Sequence, residues 1–344
     1  TPVETSRKIE VVSAWQSARY GGRAVGGVLN IMTKGEKRDG VHGSAVVSYG
    51  SHATVKQAYA VHGKKDKLSW GTFYESKITN GWRDYNAYVT KSSGKKLSNA
   101  EALDRTADGG YVIGNRGNKH VLSENYGFNL GYAFNDDQKL TYKYMHSNYT
   151  WEYQNPETFT GKWTESTTTS TIYTPASFLG TKAWRTYDMH SLSYNDQKNK
   201  VHAHFGLVDY TTDAYTTPGT VDPAKNFDGT GKIYSYPSKS WDFDINKRWT
   251  LGAHTLLMGA SYGQDQFDQE IYNVSDWKAK HSSRTGNIET HGGKDKTYAL
   301  YIQDKWDISS KWTAYIGGRY DYYKKYGGYS QLLNRDGSLA EPSG

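Results

Sequence analysis

The feature that most constrains this chain is a regular alternation of apolar and small or polar side chains. It continues from about residue 40 to residue 322 in segments of about 10–14 residues. In the clearest segment, Tyr126, Phe128 and Leu130 alternate with Gly127 and Asn129. A period of two places neighbouring side chains on opposite faces of a strand. The alternation therefore predicts an antiparallel sheet with one apolar and one polar face.

The alternation predicts eleven strands: 40–49, 52–62, 67–77, 121–134, 138–149, 183–194, 199–212, 238–247, 253–264, 294–306 and 311–322. The connections between them alternate in length. The short polar ones are 63–66, 135–137, 195–198 and 308–310, and the long ones are 78–120, 150–182, 213–237 and 265–293. Outer-membrane barrels have short turns at one end and long loops at the other. We expect an all-β, transmembrane antiparallel β-barrel.

The composition agrees with a barrel and disagrees with a disordered chain. Mean hydropathy is only -0.82, yet 15% of the 344 residues are aromatic, including 30 Tyr and 11 Trp. Disordered chains are poor in aromatic residues. A transmembrane barrel combines a polar interior, a thin apolar exterior and two aromatic girdles. The sequence contains no apolar run long enough for a membrane-spanning helix.

Charge and motifs narrow the function classes. The net charge of +7 and the pI near 9.0 indicate anionic partners. The Lys and Arg residues are scattered along the chain, which argues against nucleic acid. Without cysteine there is no disulfide framework and no thiolate metal site. No nucleophile elbow or zinc-protease motif occurs, so we expect no enzymatic activity and no catalytic residues.

A glycine-rich stretch near the start allows two interpretations. It contains Tyr20, Gly21, Gly22, Gly26, Gly27 and Asn30 and continues into an apolar, β-branched segment at 28–33. A phosphate-binding loop would need a following helix or a Gly-Lys-Ser/Thr ending. Neither is present, so we interpret the glycines as sites of close backbone packing before a strand.

Together with the pattern of strands and of short and long connections, the glycine-rich stretch resembles the end of the plug domain of TonB-dependent outer-membrane receptors. The segments 9–12, 17–21 and 24–31 match the plug signature in order and spacing, and 301–306 and 317–321 match a later family stretch. At 13–15 this chain has Ser-Ala-Trp where the family usually has Arg-Gly-Pro. The family barrel has 22 strands. We therefore expect residues 1–35 to be the last part of a plug and 36–344 the first half of a barrel, with the remainder outside this chain.

The resemblance implies a receptor in the bacterial outer membrane that binds a scarce iron complex and imports it when TonB remodels the plug. A ferric siderophore is the expected ligand; haem or a haemoprotein and cobalamin are alternatives. The implied partners are TonB, through a TonB box upstream of this chain, outer-membrane lipid and lipopolysaccharide, and bacteriocins or phage. No intrinsic cofactor is expected. A passive porin or adhesin barrel and a soluble carbohydrate-binding β-protein are the rival classes.

Aromatic residues in the long connections are the expected ligand contacts. Tyr and Trp offer large rigid contact areas, and nearby cations can pair with an anionic chelate. An outer aromatic girdle is the alternative for Tyr149, Trp151 and Tyr153, because they continue a strand. The full set is Trp82, Arg83, Tyr85, Tyr149, Trp151, Tyr153, Trp163 and Tyr173.

Two further groups could bind a metal ion, although we expect no metal site. His202 and His204 share the polar face of a strand, where contact with the plug or with water is the alternative. Asp265, Asp268 and Glu270 could hold calcium but lack the spacing of a calcium-binding loop.

Overall fold

The computed structural model describes residues 6–12, 28–33, 39–83, 86–89, 96–97, 103–159, 163–165, 168–170, 173–334 and 336–340. In 6–12, 28–33, 86–89, 96–97, 163–165 and 168–170 it describes the backbone alone. Within these ranges the chain is almost entirely β-structure, with two short 3-10 helices at Pro175–Phe178 and Pro223–Lys225. No helix in these ranges has the length and hydropathy needed to span a membrane.

Twelve strands form one large antiparallel sheet that carries the site described below. They are β3 (Gly40–Gly50), β4 (Thr54–Lys65), β5 (Leu68–Thr79), β9 (Asn118–Ala133), β10 (Gln138–Gln154), β14 (Lys182–Asp196), β15 (Val201–Asp222), β16 (Asp228–Ser235), β17 (Ser238–Leu251), β18 (His254–Val274), β19 (Arg284–Asp307) and β20 (Thr313–Leu333).

Among the described residues, eight shorter strands lie outside the large sheet. They are β1 (Ser6–Val12), β2 (Val28–Thr33), β6 (Asn86–Val89), β7 (Lys96–Leu97), β8 (Tyr111–Asn115), β11 (Glu157–Thr158), β12 (Trp163–Glu165) and β13 (Thr168–Ser170). β1 pairs with β2, β8 joins β11 to β6, and β12 joins β13 to β7. The predicted strand at 28–33 is confirmed.

The twelve strands occupy eleven places in the large sheet, so each of the eleven predicted strands is confirmed. β16 and β17 share one place between β15 and β18, where Tyr236 and Pro237 interrupt the ladder. Proline cannot donate a backbone hydrogen bond, which explains the interruption. The sheet runs from β3 at one edge to β20 at the other.

The two faces of the large sheet differ in chemistry. On what we call the apolar face, Tyr126 and Leu130 of β9 and Leu300 of β19 are 44%, 46% and 66% exposed. On the opposite, polar face, Gly127 and Asn129 follow the same strand. Large exposed apolar side chains along most strands of the sheet form the exterior of a transmembrane barrel, as the sequence predicts.

Aromatic side chains border the apolar face at both ends. Near the long loops, five rings follow one another across neighbouring strands with centroids 4.7–6.5 Å apart. At the other border, Trp306 stacks on His254 with ring centroids 5.4 Å apart. Rings at these two levels mark the membrane interfaces. We call the five-ring set the aromatic row, and it consists of Phe205, Trp241, Tyr262, Tyr298 and Tyr322.

The connections also sort to two ends. The short-turn end has 66–67, 134–137, 197–200, 252–253 and 308–312, and the long-loop end has 51–53, 80–117, 155–181, 223–227 and 275–283. Gly252, with φ +61°, opens the two-residue turn between β17 and β18, where a positive φ favours glycine.

The prediction that 213–237 and 265–293 are long loops is wrong in its bounds. β15 continues to Asp222, β18 continues to Val274, and β19 already begins at Arg284. The apolar pattern fades beyond the aromatic row because no lipid contacts the strand there, while the backbone ladder continues. The connections that remain are the tips 223–227 and 275–283.

These extended hairpins have a small core of their own. Ala214, Ile233 and Val274 are buried together on β15, β16 and β18. Trp277 is only 4% exposed, and its indole N–H donates to the carbonyl of Phe227 at 2.9 Å. A Cβ at Gly231 would collide with the Cβ of Trp277 and with the carbonyl oxygen of Thr217. The tips 223–227 and 275–283 are thereby packed on one another.

Candidate functional site

The strongest cluster of potential ligand contacts lies on the polar face of β10, beyond the aromatic row. Tyr149, Trp151 and Tyr153 alternate along β10 and so project to one face. Tyr149 is paired with Arg185 and Trp151 with Ala183, in line with the polar face of β14. The alternative that these three rings form an outer girdle is not supported, because the outer aromatic rings are on the opposite face.

Cations accompany these rings. The ammonium group of Lys119 on β9 lies 4.8 Å from the ring centroid of Trp151 and 5.9 Å from that of Tyr153. The guanidinium of Arg116 lies 5.8 Å from the ring centroid of Tyr153. The rings of Trp151 and Tyr153 meet edge to face at 5.8 Å. Positive charge and flat apolar surface are thus placed together.

A third cation lies one strand further along the same face. Arg185 on β14 makes a bidentate pair with Asp213 on β15, with N–O distances of 3.0 and 3.2 Å. Its guanidinium lies 5.9 Å from the ring centroid of Tyr210, which packs 4.9 Å from Tyr187. The carboxylate fixes the orientation of the guanidinium beside these aromatic rings.

Burial and neighbouring groups shift the pKa values of Tyr149 and Arg185. These groups lie beyond the membrane interface that the aromatic row marks. Burial raises the pKa of Tyr149, and the nearby Arg185 lowers it in part. Hydrogen bonding to Asp213 raises the pKa of Arg185 further above its ordinary value. Both groups therefore keep the protonated form at neutral pH, and Asp213 balances the positive charge of Arg185.

A cleft of about 420 Å³ opens between the top of β10 and the two hairpin tips. Glu152 and Lys182, paired at 2.9 Å, line one side, and Phe227 and Lys278 line the other. The Lys278 ammonium pairs with Asp228 at 2.8 Å. Since both lysines are neutralised by a carboxylate, the cleft presents less positive charge than the cluster on β10.

The other predicted contact residues are dispersed. Arg83 pairs with Glu157 at 2.7 Å and so joins two long loops. Trp82 is 60% exposed, with its ring 6.1 Å from that of His52. Tyr173 packs on Phe178 with ring centroids 5.8 Å apart. Tyr85 and the side chain of Trp163 lie outside the described residues.

Most of the predicted plug motif cannot be placed. Tyr20, Gly21, Gly22, Gly26 and Gly27 lie outside the described residues. Asn30 lies in β2, paired with Glu10 of β1. Its role stays a prediction.

The residues weighed as metal ligands do not converge. His202 and His204 lie on the polar face and hydrogen-bond to Asn195 at 2.8 Å and Ser193 at 3.1 Å. Within the described ranges, no three His, Cys, Asp or Glu side chains are placed to hold a metal ion.

The acidic residues of β18 are separated by the sheet itself. Asp268 and Glu270 share one face, where they bond to Tyr329 at 2.6 Å and Arg284 at 3.0 Å. Asp265 projects to the opposite face, because strand side chains alternate. The sheet therefore prevents the three carboxylates from meeting on one calcium ion.

The residues missed from the sequence are the partners of the rings: Lys119, Arg116, Arg185, Asp213, Tyr187 and Tyr210. They lie on three other strands or in a loop, and the cross-strand register brings them together. Arg185 and Asp213 lie at the limits of the predicted strands. Their connection depends on pairing between β14 and β15, which periodicity alone does not give.

The fold and the site together define a transmembrane β-barrel protein with a cationic, aromatic surface on its polar face at the long-loop end. A protein-family model described as "TonB dependent receptor-like, beta-barrel" matches residues 68–340. The chain belongs to this family of β-barrels. No curated protein matches the chain in sequence.

Solved structures show the same fold at low sequence identity. The ferripyoverdine receptor of Pseudomonas aeruginosa is 12% identical, with a TM-score of 0.62, over 98% of this chain and 44% of that one. A mutant ferric enterobactin receptor, PfeA, from the same organism is 15% identical, with a TM-score of 0.59, over 97% and 46%. The FpvAI–pyocin S2 complex is 12% identical, with a TM-score of 0.58, over 95% and 41%. The chain thus spans less than half of the length of these three structures.

Proposed function

We propose that this chain is part of an outer-membrane receptor that binds a ferric siderophore and imports it with energy from TonB. The observation that carries the proposal is the cluster of Tyr149, Trp151 and Tyr153 with Lys119 and Arg185 on the polar face. Ferric siderophores combine flat chelating groups with oxygen-rich, often anionic metal centres. Aromatic faces and cations complement both features.

The domain arrangement forms part of the same proposal. Residues 1–35 are the end of a plug inside the lumen, and residues 36–344 are the first half of the barrel. The separate pairing of β1 with β2 supports this division, since neither strand joins the large sheet. Such a plug would receive the ligand from the polar face and pass it inward when TonB acts.

The neighbours support the ligand class by their described ligands. One is bound to ferripyoverdine, one is a receptor for ferric enterobactin, and one is in complex with pyocin S2. A bacteriocin that uses the same surface is therefore a proposed additional partner. Haem, haemoproteins and cobalamin remain competitors that the binding test below includes.

Binding can be tested with the full-length protein that contains this chain, purified in detergent. Trp151→Phe and Arg185→Gln should each weaken binding of a ferric catecholate or hydroxamate by about tenfold, as expected for losing one stacking or charge contact. Trp306→Phe, at the short-turn border, is the matched control and should leave affinity unchanged. Iron protoporphyrin and cobalamin serve as competing ligands.

Transport requires a separate test. A strain that depends on this receptor for one ferric siderophore should stop growing on that iron source when TonB is deleted. Growth that continues without TonB would contradict the proposal and indicate a passive porin. Tight binding of iron protoporphyrin, with no binding of either siderophore, would replace the siderophore with haem.

A further inference from the structure

Tyr153, at the loop end of the candidate site, packs directly on the backbone of Gly180. Gly180 is buried, and a Cβ built there would collide with Cβ, Cγ and Cδ2 of Tyr153. A backbone approaches a ring this closely only where the residue has no side chain of its own. Gly180 therefore forms a wall against the base of the Tyr153 ring.

A second glycine fixes a cation on the same ring. Gly117 is buried with a φ of +83°, and a Cβ there would collide with the carbonyl oxygens of the two residues that follow Tyr153. Its backbone N–H donates to the side chain of Asn115, which is 3% exposed. Arg116, between these two residues, is thereby held with its guanidinium 5.8 Å from the centroid of the Tyr153 ring.

The ammonium group of Lys119 completes this corner of the site. It lies 4.8 Å from the ring centroid of Trp151 and 5.9 Å from that of Tyr153. Within the part of the chain that the structure describes, Lys119 makes no ion pair. A cation without a carboxylate partner beside two aromatic rings complements a group that is both flat and anionic. We call Lys119, Arg116, Trp151 and Tyr153 the ring corner.

A side chain at position 180 would move the Tyr153 ring. The atoms that block a Cβ lie at the base of the ring, where no rotation of its far end can clear them. The ring would have to turn about χ1, or the chain around Gly180 would have to shift. Either change alters the distances from the ring to Lys119 and Arg116, and a cation attracts a ring significantly only within about 6 Å. The geometry of the ring corner therefore depends on the missing side chain.

Gly114 illustrates a glycine with a purely structural use. A Cβ there would collide with the ring of Phe178, which is 6% exposed and belongs to the interior of the long loops. That glycine makes room for a ring that is hidden from any ligand. Gly180 instead adjoins a half-buried ring on the polar face, beside two cations. The same kind of contact thus has a different consequence at the two positions.

We propose that Gly180 is a positioning residue of the candidate site. Its backbone seats Tyr153 against Lys119 and Arg116, and this geometry sets a preference for a flat, anionic aromatic group, such as a catecholate, over a chelate without rings. Gly180 acts through Tyr153 and needs no contact with the ligand. The inference rests on the proposed function, because it assigns a role within the proposed ligand site.

The test measures the affinity of the full-length protein in detergent for ferric enterobactin, an anionic tris-catecholate, and for ferrichrome, a neutral tris-hydroxamate. Gly180→Ala should weaken binding of ferric enterobactin about tenfold, through lost ring and cation contacts, and change binding of ferrichrome less than about twofold. The matched control is Gly292→Ala, where a Cβ would collide with the ring of Tyr329 on the opposite face of the sheet. It should retain both affinities.

A double variant separates positioning from general damage. Gly180→Ala combined with Tyr153→Ala should bind ferric enterobactin as Tyr153→Ala alone does, because no ring is left to displace. A further tenfold loss in the double variant would overturn the proposal, whether or not Gly180→Ala alone folds. Equal losses for the two iron complexes in Gly180→Ala would also overturn it, since a distortion of the whole site affects both.

The same measurements distinguish this inference from the proposed function. If Tyr153→Ala and Trp151→Phe weaken binding and Gly180→Ala does not, the role of Gly180 alone is wrong. If all three variants bind both complexes as wild type does, or if wild type binds neither complex, the ring corner is not a siderophore site and both proposals fail.

Discussion

The large sheet contains two regions that are stabilised in different ways. Between the aromatic row and Trp306, large apolar side chains on the apolar face are exposed, as Leu300 at 66% exposure shows. Beyond the row, the same strands continue into what we call the upper wall, residues 213–235, 266–292 and 326–333. There Ile233 and Val274 are almost fully buried by protein, at 2% and 0% exposure.

The difference shows what each region requires from its surroundings. In the membrane band, burial is supplied by lipid, and a barrel must satisfy every backbone group internally. In the upper wall, burial depends on a few side chains and on the packing of the tips 223–227 and 275–283. The upper wall should therefore be the region that a single substitution can open locally, while the band should respond only to changes of polarity.

Trp277→Ala is expected to have the largest effect. It removes a buried indole and the hydrogen bond to Phe227, which should cost about 3 kcal/mol of local stability. Hydrogen exchange should accelerate at 228–235 and 270–274 and stay unchanged in the membrane band. Phe267→Ala, at a position 52% exposed, is the control with little effect. Equal acceleration in both regions would remove the distinction between them.

Ile302→Arg tests the membrane band. Ile302 is on the lipid-facing side of β19, midway between Tyr298 of the aromatic row and Trp306. An arginine there, near the middle of the bilayer, should cost about 2–4 kcal/mol. Gln303→Arg, on the polar face of the same strand, should cost much less because it faces the lumen. The measurement is urea unfolding in lipid vesicles, followed by heat-modifiable gel migration. If the two variants unfold at the same urea concentration, the assignment of a lipid face and a lumen face is wrong.

The ion pair of Arg185 and Asp213 is expected to matter less for stability than the buried indole. Both side chains are partly exposed, at 51% and 32%, so solvent screens their attraction. A double-mutant cycle with Arg185→Gln and Asp213→Asn should give a coupling energy of about 0.5–1 kcal/mol. A coupling energy as large as the cost of Trp277→Ala would show that charge, as well as apolar burial, stabilises the strands beyond the aromatic row.

The sequence predicts the membrane band well because lipid imposes a strict period of two. Tyr126, Phe128 and Leu130 reveal both the strand and its outward face without any knowledge of neighbours. The same logic fails in the upper wall. There both faces meet water or protein, so the alternation ends although β15 and β18 continue.

The candidate site shows the same limit. Tyr149, Trp151 and Tyr153 could be identified from one strand, because aromatic residues in a long connection are conspicuous. Lys119, Arg185 and Asp213 could not, since their proximity depends on the register among β9, β10, β14 and β15. The same register determines whether the three rings are on the apolar face, as a girdle, or on the polar face, as a ligand surface.

The smallest expected effect concerns Asp196, at the short-turn end and outside both regions compared above. Its carboxylate accepts hydrogen bonds from the backbone and side chain of Asn199, at 2.8 and 2.9 Å, and from Gln138 at 2.8 Å. These bonds lower the pKa of Asp196 from 3.8 to about 2. The bond from the Asn199 backbone contributes most.

Because the folded pKa is depressed, this carboxylate stabilises the fold above pH 3.8 and loses that contribution as the pH falls towards about 2. Asp196→Asn should therefore be less stable than wild type at neutral pH, and the difference should shrink near pH 2. Urea unfolding in detergent at several pH values measures this. The effect should be confined to the turn 197–200 and leave hydrogen exchange in the upper wall unchanged, because the two lie at opposite ends of β14 and β15. A pH-independent difference would mean that shape at this turn, and not charge, determines its stability.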